Sequence, residues 1–275
     1  MNAFQKTIKY LAIAFAILLT VGIMSGIVGV ISGVVSVFSV DDERNIDYSE
    51  DFTDVERLDI SNGLGSLDIK PGNGFRVEAS NVSKSFRAEV VDGTLVVGES
   101  DFFGRIFSFG FRSRSKSSIT VYVPKDFYAK RIKIDCGLGA VNLESLSTER
   151  FIVDAGVGDL NATDLTAMRV DIDGGVGNIN LNNINFTNVD LDCGVGDINI
   201  DGVILGKSEF DGGLGSVNIR INGPRKDYAL ELSTGIGRIE VNGEKINHDY
   251  NDNYRADNTI KIDGGVGGIS IAFTQ

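Results

Sequence analysis

The sequence predicts an all-β fold: a single β-solenoid with coils of about 19 residues, preceded by one N-terminal transmembrane helix. Two observations lead to this prediction, a glycine-punctuated repeat in the second half and an uncharged stretch near the N-terminus. A fixed repeat of this order of length is typical of solenoids. The Gly-x-Gly unit recurs every 19 residues, and looser copies lie outside the regular run: Gly137, Gly156, Gly175, Gly194 and Gly213 open the regular copies, and Gly63, Gly235 and Gly265 the looser ones.

Within one copy, apolar and polar residues alternate and then change phase after the second glycine. Ile172, Gly174 and Val176 fall two residues apart, and Ile179 and Leu181 continue the alternation one residue out of step. Alternation predicts a half-buried strand, and a phase change at a glycine indicates a bulge or corner. Two glycines per copy would destabilise a helix. We therefore expect each copy to form one coil of two or three strands, each pairing with its equivalents in neighbouring coils.

The predicted organisation has five parts, which are a short cytoplasmic tail (1–9), a transmembrane anchor (10–40), an acidic linker (41–57), an irregular N-terminal β cap section (58–130) and the regular solenoid (131–275). Alternation within the cap section predicts strands at residues 75–82, 86–90, 94–98 and 118–123. A polar insertion at residues 243–258 is predicted to be a surface loop, and residues 260–273 the closing coil.

The anchor prediction rests on residues 10–40, which carry no charged side chain. As a helix they would be about 46 Å long, enough to cross a hydrocarbon core of about 30 Å. Lysines precede the stretch and acidic residues follow it, so the positive-inside rule places the N-terminus in the cytoplasm and the solenoid outside. A cleaved signal peptide is the alternative, although its apolar region normally has about 7 to 15 residues.

Four glycines fall on one face of the predicted anchor helix. Small residues at this spacing let helices approach closely, which favours self-association, but glycine is also common in membrane helices generally. These residues are Gly22, Gly26, Gly29 and Gly33.

Stacking the coils would place one aspartate of each copy in a column. Carboxylates about 4.8 Å apart in water repel by roughly 0.9 kcal/mol, so we expect something to offset the repulsion. Calcium would do so, because it prefers oxygen ligands, and hydrogen bonds from nearby glycine amides are the alternative. No other cofactor is predicted. The column contains Asp135, Asp154, Asp173, Asp192 and Asp211.

A second column carries asparagines. Stacked asparagines can hydrogen-bond from coil to coil, as they do in other cross-β stacks. We expect the asparagines and aspartates to form a flat, acidic, hydrogen-bonding face that contacts a partner. The asparagines are Asn142, Asn161, Asn180, Asn199 and Asn218.

Residues 102–116 are basic and rich in phenylalanine in a chain whose net charge is −12. A hairpin with buried phenylalanines and exposed arginines would explain them, and a contact with lipid or a glycopolymer is the other interpretation. The acidic charge and the predicted external location both disfavour nucleic acid. The candidate contact residues in this segment are Arg105, Phe109, Arg112 and Arg114.

Catalysis has little support in the sequence. His248 is the single histidine and lies in the polar insertion, without a serine or cysteine pattern around it. Carboxylate pairs at Asp171/Asp173 and Asp190/Asp192 would suit a polysaccharide-cleaving enzyme. However, the aspartate column recurs in every regular copy, which favours a structural role. We expect the protein not to be an enzyme.

Three segments resemble the bacterial membrane-anchored β-strand-repeat family known as "putative adhesins", some of whose members lie near cell-envelope stress systems of the Lia type. These segments are Ile-Thr-Val-Tyr-Val-Pro-Lys at residues 119–125, Ile-Lys-Ile at 132–134 and the Gly-x-Gly repeats. The resemblance covers roughly residues 55–275 and implies an envelope scaffold, adhesion or interaction module. Its partner would be a cell-wall polymer, an envelope protein or another copy. The alternatives are a membrane-bound scaffold that polymerises end to end and a polysaccharide-acting enzyme.

Overall fold

A computed structural model describes residues 46–99, 117–246, 248–252 and 255–274. These residues belong to one compact unit, Arg44–Phe102 with Lys116–Gln275. The second unit, Met1–Glu43 with Phe103–Ser115, lies outside the described residues, as do the predicted anchor and the basic phenylalanine-rich segment. Among the described residues, no helix is long and apolar enough to cross a membrane.

The described residues form an all-β fold in which 21 strands make one sheet and the single helical element is a 3₁₀ turn at Arg225–Asp227. The strands before the regular repeats are β1 (Ile46–Phe52), β2 (Arg57–Gly72), β3 (Phe75–Val82), β4 (Phe86–Val91), β5 (Thr94–Glu99), β6 (Ser117–Pro124) and β7 (Tyr128–Ala129). The strands of the regular repeats are β8 (Arg131–Leu138), β9 (Val141–Val157), β10 (Leu160–Val176), β11 (Ile179–Thr187), β12 (Val189–Val195), β13 (Ile198–Leu205), β14 (Lys207–Leu214) and β15 (Val217–Asn222). The C-terminal strands are β16 (Tyr228–Ser233), β17 (Ile239–Val241), β18 (Glu244–Ile246), β19 (Tyr250–Asn251), β20 (Asn258–Asp263) and β21 (Ile269–Thr274).

The regular repeats stack as predicted, each strand pairing in parallel with its equivalent 19 residues away. Val141 pairs with Leu160, which in turn pairs with Ile179. The inward positions of successive coils form continuous apolar columns, because alternate residues of a strand point to one side of the sheet. In one such column no member is more than 1% exposed: Ile134, Val153, Ile172, Leu191, Phe210, Ile262 and Leu232. Stacking the coils therefore buries apolar side chains that a single coil would leave exposed at its edges.

The second glycine of each unit lies where neighbouring coils approach most closely. Gly177 has φ +149°, and a Cβ built there would lie 2.0 Å from the carbonyl oxygen of Gly158. The same Cβ at Gly158 would lie 2.0 Å from the oxygen of Gly139, and at Gly196 1.9 Å from that of Gly177. No side chain is accommodated at such a contact, and φ in this range is unfavourable for residues other than glycine. This explains why every regular coil keeps the glycine.

At the N-terminal end, the coil order differs from the chain order. Strand β2 lies between the β5/β6 strands on one side and the β8/β9 strands on the other. Antiparallel strands then cover the outer coil, with β4 on β5 and the pair β3/β1 on β6. The predicted cap strands are all present, but residues 46–52 of the predicted linker form β1. Polar β1 residues alternate with half-buried Ile46 and Tyr48, so this edge strand was not distinguishable from a linker by composition.

At the C-terminal end, too, the order of the coils in the stack differs from their order along the chain. Strands β20 and β21 lie between the coil of β14/β15 and the coil of β16/β17. The outermost coil is therefore formed by residues 228–241, and the prediction that residues 260–273 close the solenoid is wrong. The spacing of the glycine units alone does not tell which loose copy stacks on the regular run.

The polar insertion covers this last coil. Its strand β18 pairs antiparallel with β17, and β19 pairs antiparallel with β16. The Arg225 guanidinium forms an ion pair with Asp252 and lies 5.4 Å from the ring centre of Phe273. Asp252 also accepts a hydrogen bond from the backbone N–H of Leu230 at 3.3 Å. These contacts hold the insertion on the edge of the last coil, so part of the predicted surface loop forms short strands.

Candidate functional site

The asparagine column forms a continuous hydrogen-bonded ladder on the outer side of the sheet. Each Nδ2 donates to the Oδ1 of the asparagine one coil earlier, at 3.0 Å in every case, so the predicted coil-to-coil bonds are present. The amide ladder, as we call these five residues, consists of Asn142, Asn161, Asn180, Asn199 and Asn218.

The amide ladder continues into the N-terminal cap section. Asn142 Nδ2 donates to Asp68 Oδ1 at 3.0 Å, and Asp68 lies on β2. The ladder side chains are half-buried except for Asn218, which is exposed. An amide side chain has two N–H donors and two lone pairs on its oxygen. A rung in the middle of the ladder uses one of each within the column, so one donor and one lone pair remain for a ligand.

The aspartate column lies on a different segment of each coil. Asp173 precedes the Gly-x-Gly corner of its coil, whereas Asn180 follows it. Parallel pairing brings Asp154, Asp173 and Asp192 side by side, all exposed. The corner therefore separates the two columns, and the expected single face of aspartates and asparagines is two surfaces. Sequence spacing did not show this because a corner at glycine turns the strand direction.

Like charges and partial burial disfavour ionisation along the aspartate column. Burial first, and then the charges of Asp211, Asp190 and Asp173, raise the pKa of Asp192. Burial and the charges of Asp173 and Asp135 likewise raise the pKa of Asp154. The ionised column is thus electrostatically unfavourable.

In the part of the chain that the structure describes, two lysines partly offset the charge of the column, Lys133 near Asp154 and Lys261 near Asp211. Lys133 Nζ donates to Asp135 at 2.7 Å, and the amide of Gly265 donates to Asp263 at 3.2 Å. Among the described residues, Asp263 alone in this column shows the predicted bond from a glycine amide. That backbone-accepting role instead falls to the residue after the second glycine: Asn178 N–H donates to Asp159 Oδ1 at 2.8 Å.

No group of three or more His, Cys, Asp or Glu side chains in the described part of the chain could hold a metal ion. The calcium hypothesis for the aspartate column has no support from this geometry and stays a prediction. The carboxylate pairs Asp171/Asp173 and Asp190/Asp192 are exposed on the open side of the sheet, and His248 is exposed in the insertion. The candidate residues Arg105, Phe109, Arg112 and Arg114, and the anchor glycines Gly22, Gly26, Gly29 and Gly33, lie outside the described residues.

The structure shows a third surface that the sequence reasoning missed. The middle residue of each Gly-x-Gly unit is at least partly exposed, and parallel pairing aligns these residues across eight coils. Val157 is 48% exposed and Ile236 41% exposed, and the members between them are half-buried. The corner ridge, as we call it, consists of Leu64, Leu138, Val157, Val176, Val195, Leu214, Val266 and Ile236.

Val176 falls in the same two-residue alternation as Ile172, but it is half-buried where Ile172 is 1% exposed. The chain turns at Gly175 and Gly177, so the residue between the two glycines leaves the core side of the strand. A shallow groove runs between the aspartate column and this corner. Its acidic wall is formed by Asp173, Asp192, Asp211 and Asp263, and its floor by Gly174, Gly175, Cys193, Gly194, Gly212 and Gly213. In the sequence, the apolar residue that recurs between the two glycines of each unit could have predicted the corner ridge.

Several solved structures resemble this chain at low sequence identity. One is a "putative cell adhesion protein" from Clostridium sporogenes ATCC 15579, which is 18% identical with a TM-score of 0.38 and covers 84% of this chain and 100% of that chain. A "putative adhesin" from Bacteroides fragilis NCTC 9343 is 16% identical with a TM-score of 0.45, covering 84% and 98%. A "putative lipid binding protein" from Parabacteroides distasonis ATCC 8503 is 13% identical with a TM-score of 0.35, covering 84% and 97%.

No curated protein matches the chain. The profile of the Toastrack DUF4097 family matches residues 55–254, which is most of the chain and includes the cap section, the regular coils and the last coil. This match confirms the resemblance seen in the sequence, and the chain belongs to the Toastrack DUF4097 family.

Proposed function

We propose that this protein is a non-enzymatic interaction module that binds a hydroxyl-rich cell-wall polymer through its amide ladder. The observation that carries the proposal is the unbroken row of 3.0 Å bonds between ladder amides. These bonds hold the side chains in one orientation, so their spare donors and acceptors are presented at about 4.8 Å intervals without further ordering. A polymer with repeated hydroxyl groups supplies the complementary donors and acceptors.

The anchor and the location belong to the same proposal. Residues 10–40 would hold the protein in a bacterial cell membrane, with the solenoid outside, because lysines precede the uncharged stretch and acidic residues follow it. In that position the amide ladder would face the envelope. The resemblance to β-strand-repeat proteins adds a role in cell-envelope stress.

Two alternatives are less well supported by the geometry. End-to-end polymerisation needs accessible strand edges on the terminal coils. Antiparallel strands cap both terminal coils, β1/β3 and β4 at one end and β18 and β19 at the other, so the parallel coil stacking does not continue at either end. A glycan-cleaving enzyme needs one distinct carboxylate pair, whereas exposed carboxylates recur along several coils here.

Binding of the full-length protein, purified in a non-ionic detergent, to isolated cell wall tests the proposal. Wild type is expected to pellet with the wall, and Asn161→Ala/Asn180→Ala is expected to bind about tenfold more weakly, a loss of about 1.4 kcal/mol. The matched control is Thr166→Ala/Asn185→Ala, two exposed residues further along the same strands. It should bind as wild type does.

A second variant separates loss of binding from loss of folding. Thr163→Arg places a long side chain on the exposed position two residues from Asn161 and leaves every ladder amide in place. We expect it to block wall binding without lowering the melting temperature. The proposal would be ruled out if wild type did not pellet with the wall, or if Asn161→Ala/Asn180→Ala and Thr163→Arg both bound as wild type does.

A further inference from the structure

The corner ridge and the groove beside it form a surface separate from the amide ladder. Seven steps of about 4.8 Å between eight aligned residues make the ridge about 34 Å long. Glycines flank each ridge residue, so no neighbouring side chain along the strand covers exposed Val157 or half-buried Val176. An apolar row of this length on the outside of a folded chain is an interaction surface rather than scattered exposed side chains.

The charges beside the ridge restrict what it can bind. On one side lies the acidic wall of the groove, with Asp173, Asp192 and Asp211. On the other side lie Asp159 and Asp197, each of which also accepts a backbone N–H from the next coil. The ridge is therefore apolar along its length, with a row of carboxylates on the groove side and two separate carboxylates, Asp159 and Asp197, on the other side. Exposed Arg238 lies beside its Ile236 end.

We propose that the corner ridge docks a cationic amphipathic segment of another polypeptide. Its apolar side chains would cover the ridge, and its lysines or arginines would lie with their aliphatic stems on the glycine floor and their charged ends at the aspartates. An anionic lipid surface or acidic polymer is disfavoured by the protein's net charge of −12. A neutral glycan would leave the carboxylates without counter-charge.

The electrostatics of the aspartate column also favour a cationic partner. Burial and neighbouring carboxylates raise the pKa of Asp192 and Asp211, so the ionised column carries an electrostatic cost in the free protein. A cationic partner lowers that cost when it binds. Residues such as Thr166 and Asn185, on the other side of the amide ladder, have no such arrangement of apolar and acidic columns.

The test uses the full-length protein and labelled peptides of about ten residues, which span about 34 Å when extended. Fluorescence anisotropy should show binding of a peptide that alternates pairs of lysines with pairs of valines, so that each face of the extended chain carries both residue types. A lysine–serine peptide lacks the apolar contacts, and a glutamate–valine peptide has the wrong charge. Each is expected to bind at least about tenfold more weakly than the lysine–valine peptide.

Paired variants locate the contact. Asp173→Asn/Asp192→Asn in the groove should weaken binding about tenfold, whereas Asp164→Asn/Asp201→Asn, which makes the same change in net charge away from the ridge, should not. Val157→Thr/Val176→Thr should weaken binding several-fold, whereas Met168→Thr/Leu205→Thr, which alters exposed apolar residues outside the ridge, should leave it unchanged. All four double variants change exposed or half-buried side chains, and melting curves check that each is folded.

Several outcomes would overturn the proposal. One is that the lysine–valine peptide does not bind, and another is that the lysine–serine peptide binds equally well. An equal loss of binding in the two aspartate double variants would indicate attraction by net charge alone. Anionic vesicle binding that depends on the same valines would assign the ridge to a membrane instead. Wall binding through the amide ladder is measured with different residues, so either idea can fail without the other.

Discussion

Asn180 donates a 3.0 Å hydrogen bond from its Nδ2 to the Oδ1 of Asn161, and the two residues are 19 positions apart. This separation equals the coil length, so the bond joins equivalent positions of adjacent coils. The same bond orients the side-chain amides that we propose bind the cell-wall polymer.

The ladder should contribute measurably to stability. Asn180→Ala removes the bond to Asn161 and the one from Asn199. Because the side chain is half-buried, we expect the free energy of unfolding to fall by about 1 to 2 kcal/mol. Urea unfolding measures it, with Thr166→Ala as the control expected to change by less than about 0.5 kcal/mol. An equal change in both variants would show that the ladder contributes no stability.

The glycine corner should be much less tolerant than other glycines. Gly177→Ala would place a Cβ 2.0 Å from the Gly158 carbonyl oxygen at a φ of +149°, so coils must separate or the backbone must change. We expect a loss of about 3 kcal/mol or more in the free energy of unfolding. Gly74→Ala, where the new Cβ meets no atom within 4 Å, is the control. Thermal unfolding of the two variants gives the comparison, and similar melting temperatures would contradict the packing described.

The aspartate column should make stability depend on pH. The pKa of Asp192 is raised in the folded state, so the folded protein binds more protons than the unfolded chain at mildly acidic pH. Its contribution to stability is then fully present below the ordinary carboxyl pKa and is lost as pH rises through the folded pKa. Asp192→Asn should therefore stabilise the protein at neutral pH, by about 1 kcal/mol or less at low salt, and by less near pH 4.

Asp164→Asn is the control for this prediction, since it removes one charge at an exposed position outside the column. Melting temperatures at several pH values should show a gain over wild type at neutral pH for Asp192→Asn and no such gain for Asp164→Asn. Salt should reduce the gain, because it screens exposed charges. A destabilised Asp192→Asn at neutral pH would mean that the carboxylate makes a favourable contact.

The coil order at the C-terminal end can be tested by cross-linking. Asn218 is the parallel partner of Ser270, which in turn is the partner of Glu240. Cysteines in adjacent coils are about 4.8 Å apart and can form a disulfide, whereas those two coils apart are about 9.6 Å apart and cannot. With Cys136 and Cys193 replaced by alanine, oxidation should cross-link Asn218→Cys/Ser270→Cys but not Asn218→Cys/Glu240→Cys. The reverse result would restore the order in which residues 260–273 close the solenoid.

The sequence was sufficient to predict the coil length, the parallel stacking, four cap strands and the Asn161–Asn180 bond, because a strict period converts residue spacing directly into spatial columns. It was insufficient at the corner and at the ends. The alternation count does not record that the chain turns at glycines, so it did not distinguish half-buried Val176 from buried Ile172. The position of β20 and β21 depends on long-range pairing, and the loose copies at Gly235 and Gly265 carry no mark of their order. The separation of aspartates from asparagines follows from the same corner.

The most direct test of the central claim is sedimentation of the full-length protein over a wide concentration range, with and without isolated cell wall. A binding module should stay at a constant size as concentration rises without wall, because antiparallel strands cover both end coils. It should pellet in a saturable manner when wall is present. Growth into larger particles without wall, together with no saturable pelleting, would contradict the account and assign the function to the ends of the solenoid instead.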